Sequence, residues 1–162
     1  MKRTSTVALA GIVGLAAVAL AGARHLAPND QQPAITQTAL DYIEGWYEGD
    51  AARMERALHP ELAKRVLMYD PSSKSLKLNQ MSALTLTQRT RARSERAVAA
   101  ADQRREVTVL DVFGNAASVK VVANDWVDYL HMTRLDGRWQ IVNVLWELNP
   151  EAKRQRGFPE VP

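Results

Sequence analysis

The stretch DYLHMTRLDGRWQIVNVLW, residues 128–146, decides the fold of this chain. Apolar and polar residues alternate on both sides of Asp136-Gly137, a dipeptide that favours a two-residue type I′ turn. Alternation places successive side chains on opposite faces of a strand. The stretch therefore predicts an antiparallel hairpin with one face toward a core.

The register of this hairpin determines which side chains share the core-side face. With the Asp-Gly pair as the loop, regular pairing sets Leu130 opposite Asn143 and Asp128 opposite Leu145. The predicted core-side face holds Trp126, Asp128, Leu130, Met132, Trp139, Ile141, Asn143 and Leu145. The other, convex face includes His131 and is available to a dimer partner.

Asp128 is the unusual member of the core-side face, because an ionised carboxylate there is costly unless it is paired. Asn143 is its predicted neighbour on the same face, and Tyr42 or Trp46 of an upstream helix could supply further hydrogen bonds. An aromatic ring beside a carboxylate and an amide could hold a flat heteroaromatic molecule. Two alternatives stay open: a structural role for Asp128, tied to backbone amides, or a role as a general base.

The first half of the chain is predicted to be mainly helical. An amphipathic helix is expected from Ala34, with an apolar stripe at spacings of four and three: Ile35, Ala39, Ile43 and Trp46. Gly49 can end this helix and Asp50 can cap a second one, which finishes near Leu58. The next dipeptide, His59-Pro60, is interpreted as the helix end or a short turn.

The rest of the chain adds strands and a third helix. Residues 64–80 predict a short hairpin around Pro-Ser-Ser-Lys, and Ser82 can cap a helix over residues 83–93. The segments EVTVLDVF and AASVKVVA, joined by Gly-Asn, complete a four-strand antiparallel meander with the opening hairpin. Helices followed by strands predict an α+β domain.

The N-terminal residues 1–23 have the layout of a secretory signal peptide. Lys2 and Arg3 precede an uncharged apolar run that ends in Ala-Gly-Ala, a small-residue cleavage pattern. The alternative is an uncleaved membrane anchor, since about 20 apolar residues span a bilayer. Residues 24–33 are interpreted as a linker, residues 34–149 as the folded domain and residues 150–162 as a polar C-terminal tail. We expect an exported protein, periplasmic or secreted, which contacts a membrane only if the segment is retained.

Composition excludes several functional classes. The chain has no cysteine and three histidines, so it predicts neither disulfides nor a zinc site. Its formal net charge of +3 includes two basic residues of the signal segment, and the arginine-rich stretch 89–105 also contains acids and lacks aromatics. That stretch is interpreted as solvated surface rather than a nucleic-acid site. No phosphate-binding loop, nucleophile motif or cofactor motif is present in the sequence, and no metal or cofactor is expected.

The order of elements resembles the NTF2-like fold. Two helices, LHPEL, a small hairpin, a third helix and a meander ending DGRWQIVNVLW carry this resemblance, and DYLHMTRLDGRW is similar to the lumazine-binding (SnoaL-like) branch. The resemblance implies a cone in which N-terminal helices pack on a curved antiparallel sheet, usually as a homodimer with a pocket in the cone. Relatives include isomerases, dehydratases and cyclases, so the fold alone does not give the function.

These observations predict an exported domain that binds a small, partly apolar or heteroaromatic molecule in its cone without converting it. The predicted ligand-binding residues are Tyr42, Trp46, Tyr69, Trp126, Asp128 and Asn143. One alternative is a cofactor-independent isomerase or dehydratase with Asp128 as general base, although no catalytic motif is recognisable. The other is a non-catalytic protein-interaction domain without an open pocket.

Overall fold

The computed structural model describes residues 28–156 and residue 158, so the predicted signal segment lies outside the described residues. The helices are α1 (Pro28–Glu48), α2 (Ala51–Ala57), α3 (Ala83–Arg91) and α4 (Pro150–Gln155). The strands are β1 (Leu58–Asp70), β2 (Ser75–Ser82), β3 (Glu106–Phe113), β4 (Ala116–Val122), β5 (Trp126–Leu135) and β6 (Arg138–Leu148). Short 3₁₀ turns at Ser94–Arg96 and Ala100–Asp102 connect α3 to β3.

The six strands form one sheet in the order β2-β1-β6-β5-β4-β3, which confirms the predicted α+β fold. Strand β1 runs parallel to β6, whereas every other neighbouring pair is antiparallel. The β1–β2 hairpin therefore belongs to the same sheet as the four-strand meander β3–β6. The sheet is mixed, whereas the resemblance implies one that is antiparallel throughout. Helix α1 packs on β3, β4 and β6, and the core between helices and sheet includes Ile35, Ile43, Met54, Leu86, Val119, Leu130 and Ile141.

Two predicted helix starts have the expected capping geometry. The Asp50 side chain accepts a hydrogen bond from the Arg53 backbone N–H at 2.9 Å, and Ser82 accepts one from Thr85 at 3.3 Å. Gly49, at the end of α1, has a φ of +70°, and a Cβ atom there would lie 2.5 Å from the Ser94 backbone. The tight connection between α1 and α2 therefore requires glycine.

The predicted register of the central hairpin is correct only near its turn. Met132 pairs with Ile141 as expected, but a bulge follows and His131 pairs with Asn143, so that Asp128 lies opposite Trp146. A bulge adds one residue to one strand and exchanges the faces beyond it. Asn143 and Leu145 therefore move to the outer face, and Val144 and Trp146 move to the inner face. Regular alternation in the sequence gives no sign of this extra residue.

The predicted linker and tail are both partly wrong. Helix α1 begins at Pro28, so the last residues of the linker 24–33 are helical, and Gln31 is buried. Proline is common in the first turn of a helix, because the backbone N–H groups there have no acceptor within the helix and the missing N–H of proline costs no hydrogen bond. The tail 150–162 begins with α4, which Asn149 caps through a hydrogen bond from the Ala152 backbone N–H at 2.8 Å.

The segment after α2 also differs from the prediction. His59 and Pro60 lie within β1, where the pairing with β6 is irregular between Leu58 and Ala63. The His59 ring accepts a hydrogen bond from the Glu61 backbone N–H at 3.2 Å, which stabilises this local kink. Within the described residues, no helix is both long and apolar enough to cross a membrane.

Candidate functional site

Asp128 lies near the start of β5, on the inner face of the sheet, and its side chain has no exposed surface. Lys64 of β1 points to the same side of the sheet and places its Nζ atom 2.6 Å from Asp128 Oδ1. The indole N–H of Trp126 donates to Asp128 Oδ2 at 2.6 Å. Lys64 also donates to the Tyr42 hydroxyl oxygen at 2.5 Å. We refer to Tyr42, Lys64, Trp126 and Asp128 as the Asp128 network.

The electrostatics of the network follow from burial. Desolvation lowers the pKa of Lys64, although the charge and hydrogen bond of Asp128 act against this shift. The ammonium group also lies 5.2 Å from the Tyr42 ring centre and 5.0 Å from that of Trp146, where cation–π attraction favours the charged form. Burial raises the pKa of Tyr42 well above its ordinary value, and the charge and hydrogen bond of Asp128 raise it further. The network therefore combines a neutral tyrosine with a paired lysine and aspartate.

A cavity of about 330 Å³ opens between α1, α3 and the inner face of the sheet. This volume is within the range of small-molecule sites. We call it the cone cavity, and its walls are Tyr42, Trp46, Tyr47, Met54, Lys64, Met81, Leu86, Arg89, Arg93, Val98, Asn124, Asp125, Trp126, Trp146, Leu148 and Arg156. Trp46 and Trp126 meet edge to face with ring centres 6.5 Å apart. Aromatic and apolar side chains thus form the interior.

Arginines form part of the cavity wall near α3. Arg93 lies 4.5 Å from the Trp46 ring centre and donates to the Trp46 carbonyl oxygen at 3.3 Å. Desolvation and the neighbouring Arg96 both lower the pKa of Arg93. Arg89 is exposed at the end of α3, and Arg156 pairs with Asp125 at 2.6 Å. The cavity therefore joins an aromatic interior to a basic edge.

The structure brings together four of the six predicted ligand-binding residues. Tyr42, Trp46 and Trp126 line the cone cavity, and Asp128 lies behind the wall, bonded to Lys64 and Trp126. Whether they bind a ligand stays a prediction.

Tyr69 and Asn143 lie elsewhere. Tyr69 pairs with Leu76 in the β1–β2 hairpin, on the face opposite to Lys64. The Asn143 amide oxygen accepts from Arg65 at 2.8 Å, and its amide nitrogen lies 3.2 Å from His131 Nδ1. The β6 bulge is the reason that Asn143 does not face Asp128.

Several cavity residues were not predicted from the sequence: Tyr47, Lys64, Arg89, Arg93 and Trp146. A signal for Lys64 was present, because it alternates with the buried Leu62 and Val66 along β1 and so shares their face. Arg89 and Arg93 belong to the stretch 89–105, whose polar composition favours a solvated surface and gives no sign of a cavity wall. Regular pairing of the hairpin puts Trp146 on the convex face, and only the bulge turns it inward.

Two other features carry no comparable chemistry. A more open groove of about 600 Å³ lies between α2, α3 and the start of β6, lined by residues that include Ala52, Leu58, Leu84 and Arg138. It is larger than the cone cavity but lacks aromatic walls and a buried charge. Across residues 28–156, no group of three or more histidine, aspartate or glutamate side chains is arranged to hold a metal ion.

Comparison with known proteins agrees with this architecture. Residues 30–147 match the family described as "Putative lumazine-binding". A solved NTF2-like protein of unknown function from Silicibacter pomeroyi DSS-3 is 19% identical with a TM-score of 0.62, over 76% of this chain and 100% of that one. Another NTF2-like protein of unknown function, from Shewanella baltica OS155, is 18% identical with a TM-score of 0.60, over 77% and 98%.

A ketosteroid isomerase-like protein from Erwinia carotovora atroseptica SCRI1043 is 12% identical with a TM-score of 0.53, over 74% of this chain and 97% of that one. At such identities these likenesses show the fold alone. No protein with a curated description matches the chain.

Proposed function

Because the chain belongs to the NTF2-like family named for lumazine binding, we propose that its cone cavity binds a small, partly apolar or heteroaromatic molecule. The observation that carries this proposal is the cavity itself, about 330 Å³ with three tryptophans and two tyrosines in its walls. Indole and phenol rings supply flat surfaces on which a planar ligand can stack. The few polar groups among them can fix its orientation.

We further propose that the molecule is bound without chemical conversion. A general base must come within hydrogen-bond reach of the proton that it removes. Asp128 has no exposed surface, and its two oxygens are held by Lys64 and Trp126. These contacts support a structural role in shaping the cavity floor, and they count against the isomerase or dehydratase alternative. The open cavity counts against an interaction domain with a filled core.

The first experiment is a thermal-unfolding scan of the full chain against lumazine, riboflavin, pterins, steroids and short polyketide-like acids. A ligand at 100 times its dissociation constant adds about 2.7 kcal/mol of stability. For a domain of this size, the unfolding midpoint should rise by roughly 5 to 10 °C. The proposal predicts such a rise for at least one planar compound. No rise across the panel would contradict it.

A matched pair of variants tests whether the binding is in the cavity. Val98→Trp places a large ring into the cavity wall, so it should abolish the rise while the protein stays folded. Leu110→Trp adds the same ring at an exposed position of β3, and the ligand should still raise the unfolding midpoint of this variant. An equal rise in both variants would show that the ligand binds elsewhere. Product analysis with the same compounds should find no turnover, and turnover lost in Asp128→Asn would favour the enzyme alternative.

We also propose that the protein is exported, on the strength of the basic, apolar and small-residue order of residues 1–23. Mass spectrometry of the protein from cell fractions should find a chain beginning at Arg24 in the exported fraction. A chain retaining the segment in the membrane fraction would instead support the anchor. A full-length chain in the cytoplasm would contradict export.

A further inference from the structure

The charges around the cone cavity do not balance. Its walls carry four cationic side chains, Lys64, Arg89, Arg93 and Arg156, but only one carboxylate, Asp125. Lys64 is neutralised by Asp128 and Arg156 by Asp125. Among the described residues, Arg89 and Arg93 have no carboxylate within ion-pair distance. An excess of positive charge therefore lies at the α3 edge of the cavity.

Arg93 is held in place rather than left free in solvent. Its guanidinium group lies against the Trp46 ring, and one N–H donates to the Trp46 carbonyl oxygen. A guanidinium group has five N–H donors, so most of them remain available at this position. Arg89 precedes it by four residues and lines the same cavity. An arginine held in place beside a second, exposed arginine suits a carboxylate, which can accept hydrogen bonds from both.

One hydrogen-bond donor in the cavity wall has no partner among the described residues. The Trp146 indole N–H is buried and has no hydrogen-bond partner in the described part of the chain. The Asp128 carboxylate, which lies opposite Trp146 in the sheet, is already bonded to Lys64 and Trp126. A buried donor without a partner is unfavourable. Because this nitrogen is buried behind the cavity surface, a ligand acceptor can reach it only if neighbouring side chains move.

We infer that the cone cavity selects planar aromatic acids, with the ring system against the tryptophans and its carboxylate against Arg89 and Arg93. This inference rests on the proposed function and adds to it the charge and polarity of the ligand. Neutral molecules of the same shape fill the same space but leave the two arginines without an acidic partner.

The test uses ligand pairs of nearly the same shape in which a neutral carboxamide replaces the carboxylate: lumazine-6-carboxylate with lumazine-6-carboxamide, and 2-naphthoate with 2-naphthamide. Each is titrated calorimetrically into the full chain. At least one acid should bind roughly tenfold or more tightly than its amide, because charge-assisted hydrogen bonds are the stronger ones. Added salt should weaken the acid more than the amide.

Variants at the C-terminal end of α3 and just after it supply the matched control. The double variant Arg89→Gln and Arg93→Gln should lose the preference for the acid while it still binds the amide. Arg91→Gln removes an equal charge from an exposed position outside the cavity wall and should keep the preference. Retention of the preference in the double variant would overturn the assignment of these two arginines.

The outcomes separate this inference from the proposed function. Equal binding of acid and amide, at a site that Val98→Trp blocks, would overturn the inference and leave the proposed function intact. The same holds if only neutral compounds of the wider panel bind in the cavity. If no compound binds, both the proposed function and this inference are wrong.

Discussion

At the residue scale, Asp128 shows how a buried charge is accommodated. Its two carboxylate oxygens accept hydrogen bonds from the Lys64 ammonium group and the Trp126 indole N–H. Lys64 also donates to the hydroxyl oxygen of Tyr42 on α1. Such a pair does not by itself add stability, because removing two charges from water is costly. It does require both partners, since either one alone would be a buried, unpaired charge.

Removing both partners of this pair should therefore cost less than the two single removals added together. Lys64→Met and Asp128→Leu should each lower the free energy of unfolding by about 3 to 5 kcal/mol. The double variant should lose clearly less than the sum of the two. Urea unfolding of the three variants and the wild type measures this cycle. Additive losses would show that the two side chains are not coupled.

Tyr42 should make the protein less stable at alkaline pH. Because its pKa is raised in the folded state, the unfolded chain loses this proton near pH 10, before the folded protein does, and stability falls as the pH rises. The lowered pKa of Lys64 acts in the opposite direction, but its effect is complete once the pH passes about 10.4. Above that pH the tyrosine effect remains.

Urea unfolding between about pH 9 and pH 11.5 measures this dependence in the wild type and in Tyr42→Phe. The variant should show a shallower fall above about pH 10.5, since it has no hydroxyl proton to retain. Tyr69→Phe, in the β1–β2 hairpin and outside the Asp128 network, serves as the control and should resemble the wild type. An identical fall in Tyr42→Phe would contradict the assignment.

At the element scale, the β6 bulge and helix α4 shape the cavity. The bulge turns Trp146 toward Lys64 and sends Asn143 to the outer face. Helix α4 packs through the buried Ala152 and leads to Arg156 on the cavity wall. Both features lie in or next to β6, the strand between β1 and β5.

Loss of the α4 cap should destabilise the protein measurably. Asn149 accepts from the Ala152 backbone N–H and donates to the Asn124 carbonyl oxygen at 2.9 Å. Asn149→Ala removes both bonds and should cost about 1 to 2 kcal/mol in urea unfolding. Asn149→Ser can still cap the helix and should cost less. Equal losses in the two variants would argue against the cap as the source of the effect.

Sequence-based prediction is accurate for the local elements and less accurate for the pairing between strands. The Asp-Gly turn, the caps at Asp50 and Ser82 and the apolar periodicities are local signals, and the elements that they predict are present. The bulge depends on how β6 pairs with strands on both sides, so local alternation could not reveal it. For this reason the sequence placed Asp128 correctly in the interior but gave it Asn143, rather than Lys64, as a partner.

At the scale of the whole molecule, the two faces of the sheet differ. The inner face carries the helices and the cavity, whereas the outer face exposes Leu67, Leu78, Tyr129 and Leu145 between polar side chains. We propose that a second copy of the chain packs on this outer face, in accord with the homodimer expected from the sequence. Exposed apolar patches are a feature of such interfaces.

A charge on the outer face should disrupt this dimer. Leu145→Glu should give a monomer in sedimentation-velocity experiments at concentrations where the wild type is dimeric, because it places a carboxylate inside an apolar contact. Leu84→Glu carries the same change on α3, which packs on the other side of the sheet, and should remain dimeric. A monomeric wild type would contradict the proposal.

The central claim is that the cone cavity holds a planar ligand against its tryptophans. A crystal structure of the full chain with lumazine-6-carboxylate tests it most directly. We predict the ring system beside Trp46, Trp126 and Trp146, with the carboxylate within hydrogen-bond distance of Arg89 or Arg93. A ligand bound on the outer face or in the groove beside α2, or a cavity that stays unoccupied at saturating concentration, would contradict it.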